Sequence, residues 1–214
     1  MIDFRLLIAI PILAAGTFVL ASSGIDAAIN DLARLQDSTV SIAWSAFPML
    51  VGMAAPFAIP IIFALKGLRN LANGSLSAFL VTLIIVSFLK VFTSRVHPEA
   101  LEPATVLERS QLFRFGFFES GMTSVIEGWP SGHVATNGAV ALVIVFLAGN
   151  KSLRYVAAFW CLWVTLATVF GISGDVHWFS DTLSGLALAV IVALRTVESF
   201  RDDSESEQSV GSAD

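Results

Sequence analysis

Cysteine and charged residues are scarce in this chain. The single cysteine, Cys161, lies inside an apolar run, so the sequence supports neither a disulfide framework nor a cysteine metal cluster. Only 14% of the 214 residues are charged, whereas a typical soluble domain has about 25%. The net charge of -5 gives no support for nucleic-acid binding. Because 56% of the residues are hydrophobic, the composition instead predicts one membrane-embedded domain.

Several apolar runs approach the roughly 20 residues that a helix needs to cross a bilayer. Their approximate bounds are Phe4–Ala21, Phe47–Leu65, Leu76–Thr93, His133–Leu147, Arg154–Ile172 and Phe179–Leu194. We therefore expect an all-α polytopic membrane protein, a six-transmembrane-helix bundle over residues 1–200. Residues 25–45 are predicted to form a short interfacial helix and a loop. The Ser- and acid-rich residues 201–214 are predicted to be a disordered cytoplasmic tail.

Two of these runs have features of their own. Residues 1–21 are expected to form a span, although a cleaved signal peptide is the alternative, with a cleavage site near Leu20-Ala21-Ser22-Ser23. The second run contains Pro48, Pro56 and Pro60, which predicts a kinked helix. A bundle tolerates such prolines where neighbouring helices satisfy the freed carbonyls.

A first polar motif, His177-Trp178-Phe179-Ser180-Asp181, stands at the mouth of the last apolar run. Its carboxylate follows the histidine by one helical turn and lies on the same face. Such a carboxylate can accept the Nδ1–H of the imidazole and leave the Nε2 lone pair to act as a nucleophile. The alternative is a helix-capping histidine beside an unrelated acid, but ionisable residues beside a membrane span are functional by default.

A second polar motif, Pro130-Ser131-Gly132-His133, opens the fourth apolar run. Proline suits the first turn of a helix, and glycine lets a ligand approach the backbone closely. The unpaired amides and the dipole of such a helix N-terminus bind phosphate oxygens, and the Ser131 hydroxyl adds a donor. His133 would protonate a leaving alkoxide. The alternative is an ordinary interfacial helix start with a snorkelling histidine.

Lys90, near the end of the third run, either neutralises phosphate charge or extends to the lipid headgroups. The connection that follows, from Val96 to Trp129, is long for a compact bundle. Its aromatic stretch Leu112–Phe118 suits the bilayer interface. We interpret the connection either as a lid or lipid gate, or as a connector that dips into the membrane.

The distribution of basic residues predicts the orientation. With both termini inside, the inner face collects Arg5, Lys66, Arg69, Lys151, Arg154, Arg195 and Arg201, whereas the much longer outer segments hold Arg34, Lys90, Arg95, Arg109 and Arg114. We therefore expect an integral protein of the plasma (inner) membrane with cytoplasmic termini. Both histidine motifs would then be extracytoplasmic.

These motifs resemble those of the type 2 phosphatidic acid phosphatase superfamily, which also includes vanadium haloperoxidases and bacterial acid phosphatases. The family pattern is K-x6-R-P, then P-S-G-H, then S-R-x5-H-x3-D. The matching residues are Lys90 and Pro98, then residues 130–133, then His177 and Asp181. The resemblance covers about residues 76–194, together with the layout of the spans.

The resemblance implies a role for each matched residue. His177 would be the nucleophile that forms a phosphohistidine, and Asp181 would orient it. His133 would be the general acid for the leaving group and later the base that activates water. The phosphate-binding residues would be Lys90, Ser131 and Gly132. The resemblance implies no metal and no other cofactor.

The chain departs from the family pattern at two arginines. His97 replaces the arginine of the first block, and Phe170-Gly171 stands where the third block has Ser-Arg. Many relatives carry a further arginine two places before the first-block arginine, and Arg95 matches it. We expect Arg95 and His97 to compensate in part as phosphate-binding residues. Alternatively, His97 only packs against the loop. Fewer guanidinium groups favour a less charged phosphoryl group, such as a phosphodiester.

The leading hypothesis is an integral membrane lipid phosphatase that hydrolyses a lipid phosphate or diphosphate ester at the extracytoplasmic face. The second is a lipid phosphotransferase acting on a phosphodiester headgroup. The third is a catalytically weak binding or transport protein on the same scaffold. The expected partners are a lipid phosphate and the bilayer, with no nucleic acid. Nothing in the sequence indicates an oligomeric state or identifies the lipid.

Overall fold

The computed structural model describes residues 4–34, 39–100, 105–119, 121–171 and 177–211, and these residues are predominantly helical. The elements in chain order are α1 (Phe4–Ser22), α2 (Ile25–Arg34), α3 (Thr39–Leu65), α4 (Arg69–Phe92), β1 (Thr93–Arg95), α5 (Val106–Gln111), β2 (Phe113–Phe115), a 3-10 turn (Gly121–Thr123), α6 (Ser124–Glu127), α7 (Gly132–Leu147), α8 (Lys151–Phe170) and α9 (Phe179–Gly211).

Four of the described helices are long and apolar enough to cross a membrane, within Ala43–Leu65, Arg69–Phe92, Lys151–Phe170 and Phe179–Arg201. Helices α1 and α2 together would make a fifth crossing, but they are bent by 67° at their junction. Helix α7 is apolar but has only 16 residues. The protein is therefore membrane-embedded and helical with four or five candidate spans, and the expected sixth span is not confirmed.

Helix α7 lies at the centre of the bundle and packs against α4, α8 and α9. Small residues make this close packing possible, as in other membrane bundles. A Cβ atom on Gly138 would lie 2.9 Å from the Cβ of Ala189 in α9, and one on Gly185 of α9 would lie 2.5 Å from the carbonyl oxygen of Ser131. The beginnings of α7 and α9, which carry the two histidine motifs, are thereby held together.

The prolines of α3 leave backbone carbonyls without their usual amide partner, and neighbouring helices supply donors. Pro48 lacks the N–H that would bond the carbonyl of Trp44, and the indole of Trp163 donates to that oxygen at 3.1 Å. Pro56 frees the carbonyl of Gly52 in the same way, and the Asn137 amide donates to it at 2.9 Å. The expected satisfaction of freed carbonyls is confirmed at these two positions.

The connection between α4 and α7 begins with a short antiparallel hairpin of β1 and β2, in which Arg95 pairs with Phe113. The ring of Phe117 then packs edge-on against Phe88 and Phe92 of α4, with centroids 5.8 and 5.3 Å apart. All three rings are exposed, as expected for the bilayer interface. The segment that follows β2 is thus packed against the exposed aromatic rings of α4.

Two segments, one before the second apolar run and one at the C-terminal end, differ in part from the expectations. Helix α3 begins at Thr39, so much of the segment interpreted as a loop is helical. Helix α9 continues to Gly211, through most of the segment predicted to be a disordered tail. Before that segment, Arg195 and Glu198 form an i,i+3 ion pair. Residues 212–214 and the predicted span end at Ile172 lie outside the described residues.

Candidate active site

A pocket of about 360 Å³ lies between α3, α4 and the first turn of α7. One end is polar and is lined by Ser87, Lys90, Gly132, His133, Thr136 and His177. The rest is apolar and is lined by Met49, Gly52, Met53, Pro56, Phe57, Phe79, Leu83, Val86 and Val125. Several apolar residues are exposed on the outer surface of the bundle, Met53 and Phe57 among them. The pocket therefore joins a polar end to an apolar groove on the face expected to meet lipid.

His177 precedes α9 and is 9% exposed. Its Nδ1 atom lies 4.0 Å from Oδ2 of Asp181, which is close enough for an ion pair but too long for a hydrogen bond. No hydrogen-bond partner for this Nδ1 occurs among the described residues. Burial lowers the pKa of His177 well below its usual range, and the positive charges of Lys90, His133 and Arg95 lower it further. The imidazole is therefore neutral at neutral pH, as a nucleophile must be.

His133, in the first turn of α7, is oriented by the backbone of α3. Its Nε2 atom lies 3.0 Å from the carbonyl oxygen of Pro48. Because a carbonyl only accepts, Nε2 carries a hydrogen and Nδ1 is the nitrogen left to exchange a proton. A Cβ atom on Gly52 would lie 2.5 Å from Nε2, so this close approach requires glycine. Asn137 adds support, since its amide donates to the carbonyls of both Gly52 and His133.

Gly132 and Lys90 meet at the polar end of the pocket. A Cβ atom on Gly132 would lie 3.3 Å from Cε of Lys90, so glycine gives the lysine stem room beside the first turn of α7. The amides of that first turn have no acceptor within the helix. Lys90 is 6% exposed and brings a positive charge to the same end of the pocket. A cation and a helix N-terminus side by side can hold an anion.

Ser131 is the residue before α7 and is not among the residues that line the pocket. Its backbone N–H donates to the carbonyl oxygen of Asp181 at 3.0 Å and is therefore already used. Its hydroxyl is fully buried and has no hydrogen-bond partner within the described part of the chain. The contact to Asp181 ties the Pro-Ser-Gly-His segment to the first turn of α9.

Arg95 lies on the other side of His177, away from the pocket lining. Its guanidinium is paired with the carboxylates of Asp26 and Asp181, and all three side chains are buried. It also donates to the hydroxyl of Ser180 at 2.9 Å and to the carbonyl of Ser110 at 2.6 Å. The hairpin directs Arg95 inward, where Phe113 and Trp178 lie against its faces at 4.6 and 5.4 Å. Its charge is committed to protein carboxylates.

The structure therefore brings together most, but not all, of the residues singled out in the sequence. Lys90, Gly132, His133 and His177 line one pocket, with Asp181 and Ser131 directly behind it. Arg95 and His97 are not among the lining residues. His97 is half-buried in the turn after β1, where its carbonyl accepts from the amide of Ala100 at 3.1 Å. Helix α4 ends at Phe92 and the chain continues as β1, so His97 does not lie on the face of α4 that carries Lys90.

Three residues of the site were missed by sequence reasoning. Asp26 lies in an amphipathic segment, where an acid is unremarkable until its burial is known. Gly52 is one of several small residues in a proline-rich apolar run, and nothing in the sequence marks it. Asn137 had a usable signal, because a polar side chain inside an apolar span needs a partner and is functional by default.

This chain belongs to the PAP2 superfamily, whose name abbreviates type 2 phosphatidic acid phosphatase: the model of that family matches residues 72–204. Neither the curated proteins nor the solved structures include a match to the chain. Membership, together with the apolar helices, indicates a membrane-embedded phosphoric ester hydrolase. The matched range begins within α4, so α1, α2 and α3 lie before it.

Proposed function

We propose that this protein is an integral membrane lipid phosphatase that hydrolyses a lipid phosphate or diphosphate ester through a phosphohistidine. The observation that carries the proposal is the two-part pocket, in which Lys90, His133 and His177 line one end and apolar side chains of α3 and α4 line the rest. A phosphate at the polar end would leave its hydrocarbon chain in the groove. A soluble phosphate ester would gain nothing from that groove.

In the first step, Lys90 and the first-turn amides of α7 hold the phosphate oxygens. Nε2 of His177 attacks phosphorus, the N–P bond forms, and the P–O bond to the lipid breaks. His133, protonated, gives its proton to the departing alkoxide. Asp181 stabilises the positive charge that develops on the His177 imidazole, for which its carboxylate need move little from its present 4.0 Å separation.

In the second step, a water molecule attacks the phosphohistidine. His133, now neutral, accepts a proton from the water as the new P–O bond forms. The N–P bond breaks and its electron pair returns to Nε2 of His177. Inorganic phosphate leaves, and the enzyme is restored without a metal ion or a cofactor taking part in the proposed steps.

The extracytoplasmic location of the site rests on the asymmetry of basic residues. Lys66, Arg69, Lys151 and Arg154 flank the α3–α4 and α7–α8 connections, at the end of the bundle opposite the pocket. The site would then act on lipids of the outer leaflet of the plasma (inner) membrane, with both termini cytoplasmic.

A second candidate, a lipid phosphotransferase, is favoured by the small positive charge of the pocket. Lys90 is the one lysine or arginine among the described residues that line it. Arg95 is paired with two carboxylates. A phosphodiester carries one negative charge and needs less neutralisation than a dianionic monoester. In this case the phosphohistidine would be attacked by a second lipid alcohol in place of water.

A phosphate-release assay with the purified protein in detergent, over a panel of lipid monoesters, diphosphates and diesters, separates the candidates. Release without an added acceptor, absent in His177→Ala, is expected for the phosphatase. Headgroup transfer that requires an added lipid alcohol would indicate the phosphotransferase. Neither reaction, with lipid binding retained, would indicate the third candidate, a binding or transport protein.

A further inference from the structure

Outside the pocket, the largest group of buried ionisable side chains in the described residues joins α2, β1 and α9. Asp26 is fully buried, and its carboxylate accepts the backbone N–H of Ser180 at 2.9 Å and the hydroxyl of Ser180 at 2.5 Å. Since Ser180 lies in the first turn of α9, Asp26 caps that helix from a different part of the chain. The cap comes from before the range matched by the family model.

The same carboxylate holds Arg95. Oδ2 of Asp26 accepts from one terminal nitrogen of the guanidinium at 2.6 Å, while the other terminal nitrogen donates to Oδ1 of Asp181. The arginine is therefore shared between two carboxylates. Oδ2 of Asp181 accepts the amide of Trp178 at 3.0 Å and is the oxygen that lies 4.0 Å from His177.

We propose that Asp26 is a positioning residue for His177, which acts by keeping Arg95 from taking both oxygens of Asp181. The proposal rests on the proposed role of His177 as the nucleophile. A guanidinium makes its strongest pair with a carboxylate through two parallel hydrogen bonds. Without the Asp26 charge, Arg95 would pair with both oxygens of Asp181 and compete with the imidazole for Oδ2. His177 would then lose its nearest carboxylate oxygen, which lies 4.0 Å from Nδ1 and would stabilise the positive charge that develops on the imidazole.

Asp26→Asn is the sharpest variant, because it removes the charge and keeps the shape. The asparagine oxygen can still accept the amide of Ser180, so the cap on α9 remains. Arg95 and Asp181 remain as a neutral pair, so no unpaired charge is buried. Asp31→Asn, an exposed position of the same helix, is the matched control. Asp26→Ser, which also removes the charge and leaves a hydroxyl oxygen, provides a second route should Asp26→Asn fail to fold.

Two readouts are needed, and one of them does not require turnover. The chain has only three histidines, so ¹⁵N-histidine NMR can be assigned with His97→Ala and His133→Ala. Asp26→Asn should shift the Nδ1 and Nε2 resonances of His177 and leave those of His97 unchanged. In the lipid phosphatase assay, kcat should fall on the order of 10- to 100-fold, as for outer partners that orient ligating histidines. KM should change little, since Asp26 does not line the pocket.

The outcomes are separable. His177 resonances that match those of the parent protein in Asp26→Asn, or in Asp26→Ser should Asp26→Asn fail to fold, would overturn the positioning role, whatever the activity. An equal fall in kcat for Asp31→Asn would also overturn it, because the effect would then not depend on the buried network. Parent protein that releases no phosphate from any lipid would contradict the proposed function alone, since the NMR comparison stands without it.

Discussion

On one side of His177, Lys90 and His133 line a pocket that continues into an apolar groove. On the other side, Arg95 is enclosed with Asp26 and Asp181, and all three side chains are buried. Two cations thus lie near one imidazole, but only Lys90 faces the space where a phosphate would bind. Lys90 is thus placed to meet a ligand, whereas Arg95 pairs with carboxylates of the protein itself.

The comparison bears on how the missing family arginines are interpreted. A cation that lies close to His177 need not contact a ligand, because neighbouring carboxylates can pair with its charge. By the resemblance described above, His97 and Gly171 would stand at positions where the family has arginine. The structure gives no sign that Arg95 has moved into their place. We therefore attribute phosphate binding chiefly to Lys90 and the first turn of α7.

Removing His177 should have the largest effect, because it lies between the two sides. His177→Ala should abolish phosphate release from every lipid that the parent protein hydrolyses, since neither of the other two histidines lies beside Asp181 to replace it as the nucleophile. His97→Ala is the matched control, because it removes the same group from a position outside the pocket lining. Phosphate release by His177→Ala at the parent rate would show that the pocket does not carry the chemistry.

His133 should be the next most sensitive residue. His133→Ala should lower kcat by about 10²- to 10⁴-fold, the usual contribution of a general acid or base. The loss should shrink for a substrate such as an aryl phosphate, whose leaving group needs no proton. Steady-state kinetics with paired alkyl and aryl phosphates measure this. An equal loss for both substrates would argue against a general-acid role.

Replacing Lys90 and Arg95 with methionine, one at a time, should distinguish the two sides of His177. Lys90→Met should raise the KM for the lipid substrate or the Kd for inorganic phosphate. Arg95→Met should destabilise the protein by about 3–5 kcal/mol, because two buried carboxylates lose their partner. Thermal unfolding and phosphate binding, measured for both variants, test the contrast. Weakened phosphate binding by a fully stable Arg95→Met protein would show that Arg95 contributes to phosphate binding and not to stability.

The titration of His177 should reveal the charge around it. Because burial and nearby positive charges lower its pKa well below the usual range, the imidazole should stay neutral as the pH falls through about 6.5, the ordinary value for histidine. It should become protonated only at more acidic pH. Lys90→Met removes one of these charges and should raise the pKa of His177. A ¹⁵N NMR titration would contradict this account if His177 became protonated near pH 6.5 in the parent protein.

Changing His97 should have the smallest effect. If His97 bound the phosphate in place of an arginine, His97→Arg would flatten the dependence of phosphate affinity on pH. Its position in the turn after β1, outside the pocket lining, leads us to expect the same pH profile of phosphate affinity for both proteins. A flatter pH profile of phosphate affinity in His97→Arg would show that His97 takes part in phosphate binding.

The sequence predicted the parts of the site that lie next to one another along the chain. The i,i+4 spacing of His177 and Asp181 and the start of α7 at Gly132 are local, and both are found in the structure. The helical class also followed from apolar runs. The number of crossings did not, because a bend between α1 and α2 and a short α7 depend on packing that composition does not report.

The features that the sequence did not disclose depend on contacts between distant segments. Arg95 is predicted to bind phosphate because it matches a family position two places before the first-block arginine, and its pairing with Asp26, 69 residues away, has no signal in the sequence. Gly52 matters because His133 packs against it, and that contact joins residues of different helices. Such contacts carry no periodic or local signal, so a single sequence does not disclose them.

The central claim, that His177 is the nucleophile on the pocket side, is tested most directly by trapping its phosphorylated form. The protein would be mixed with a ³²P-labelled lipid phosphate, quenched in alkali within milliseconds, and digested for mass spectrometry. The account predicts acid-labile, alkali-stable phosphate on the peptide that contains His177, and none on that peptide in His177→Ala. Label on His133, or turnover with no labelled histidine at any quench time, would contradict it.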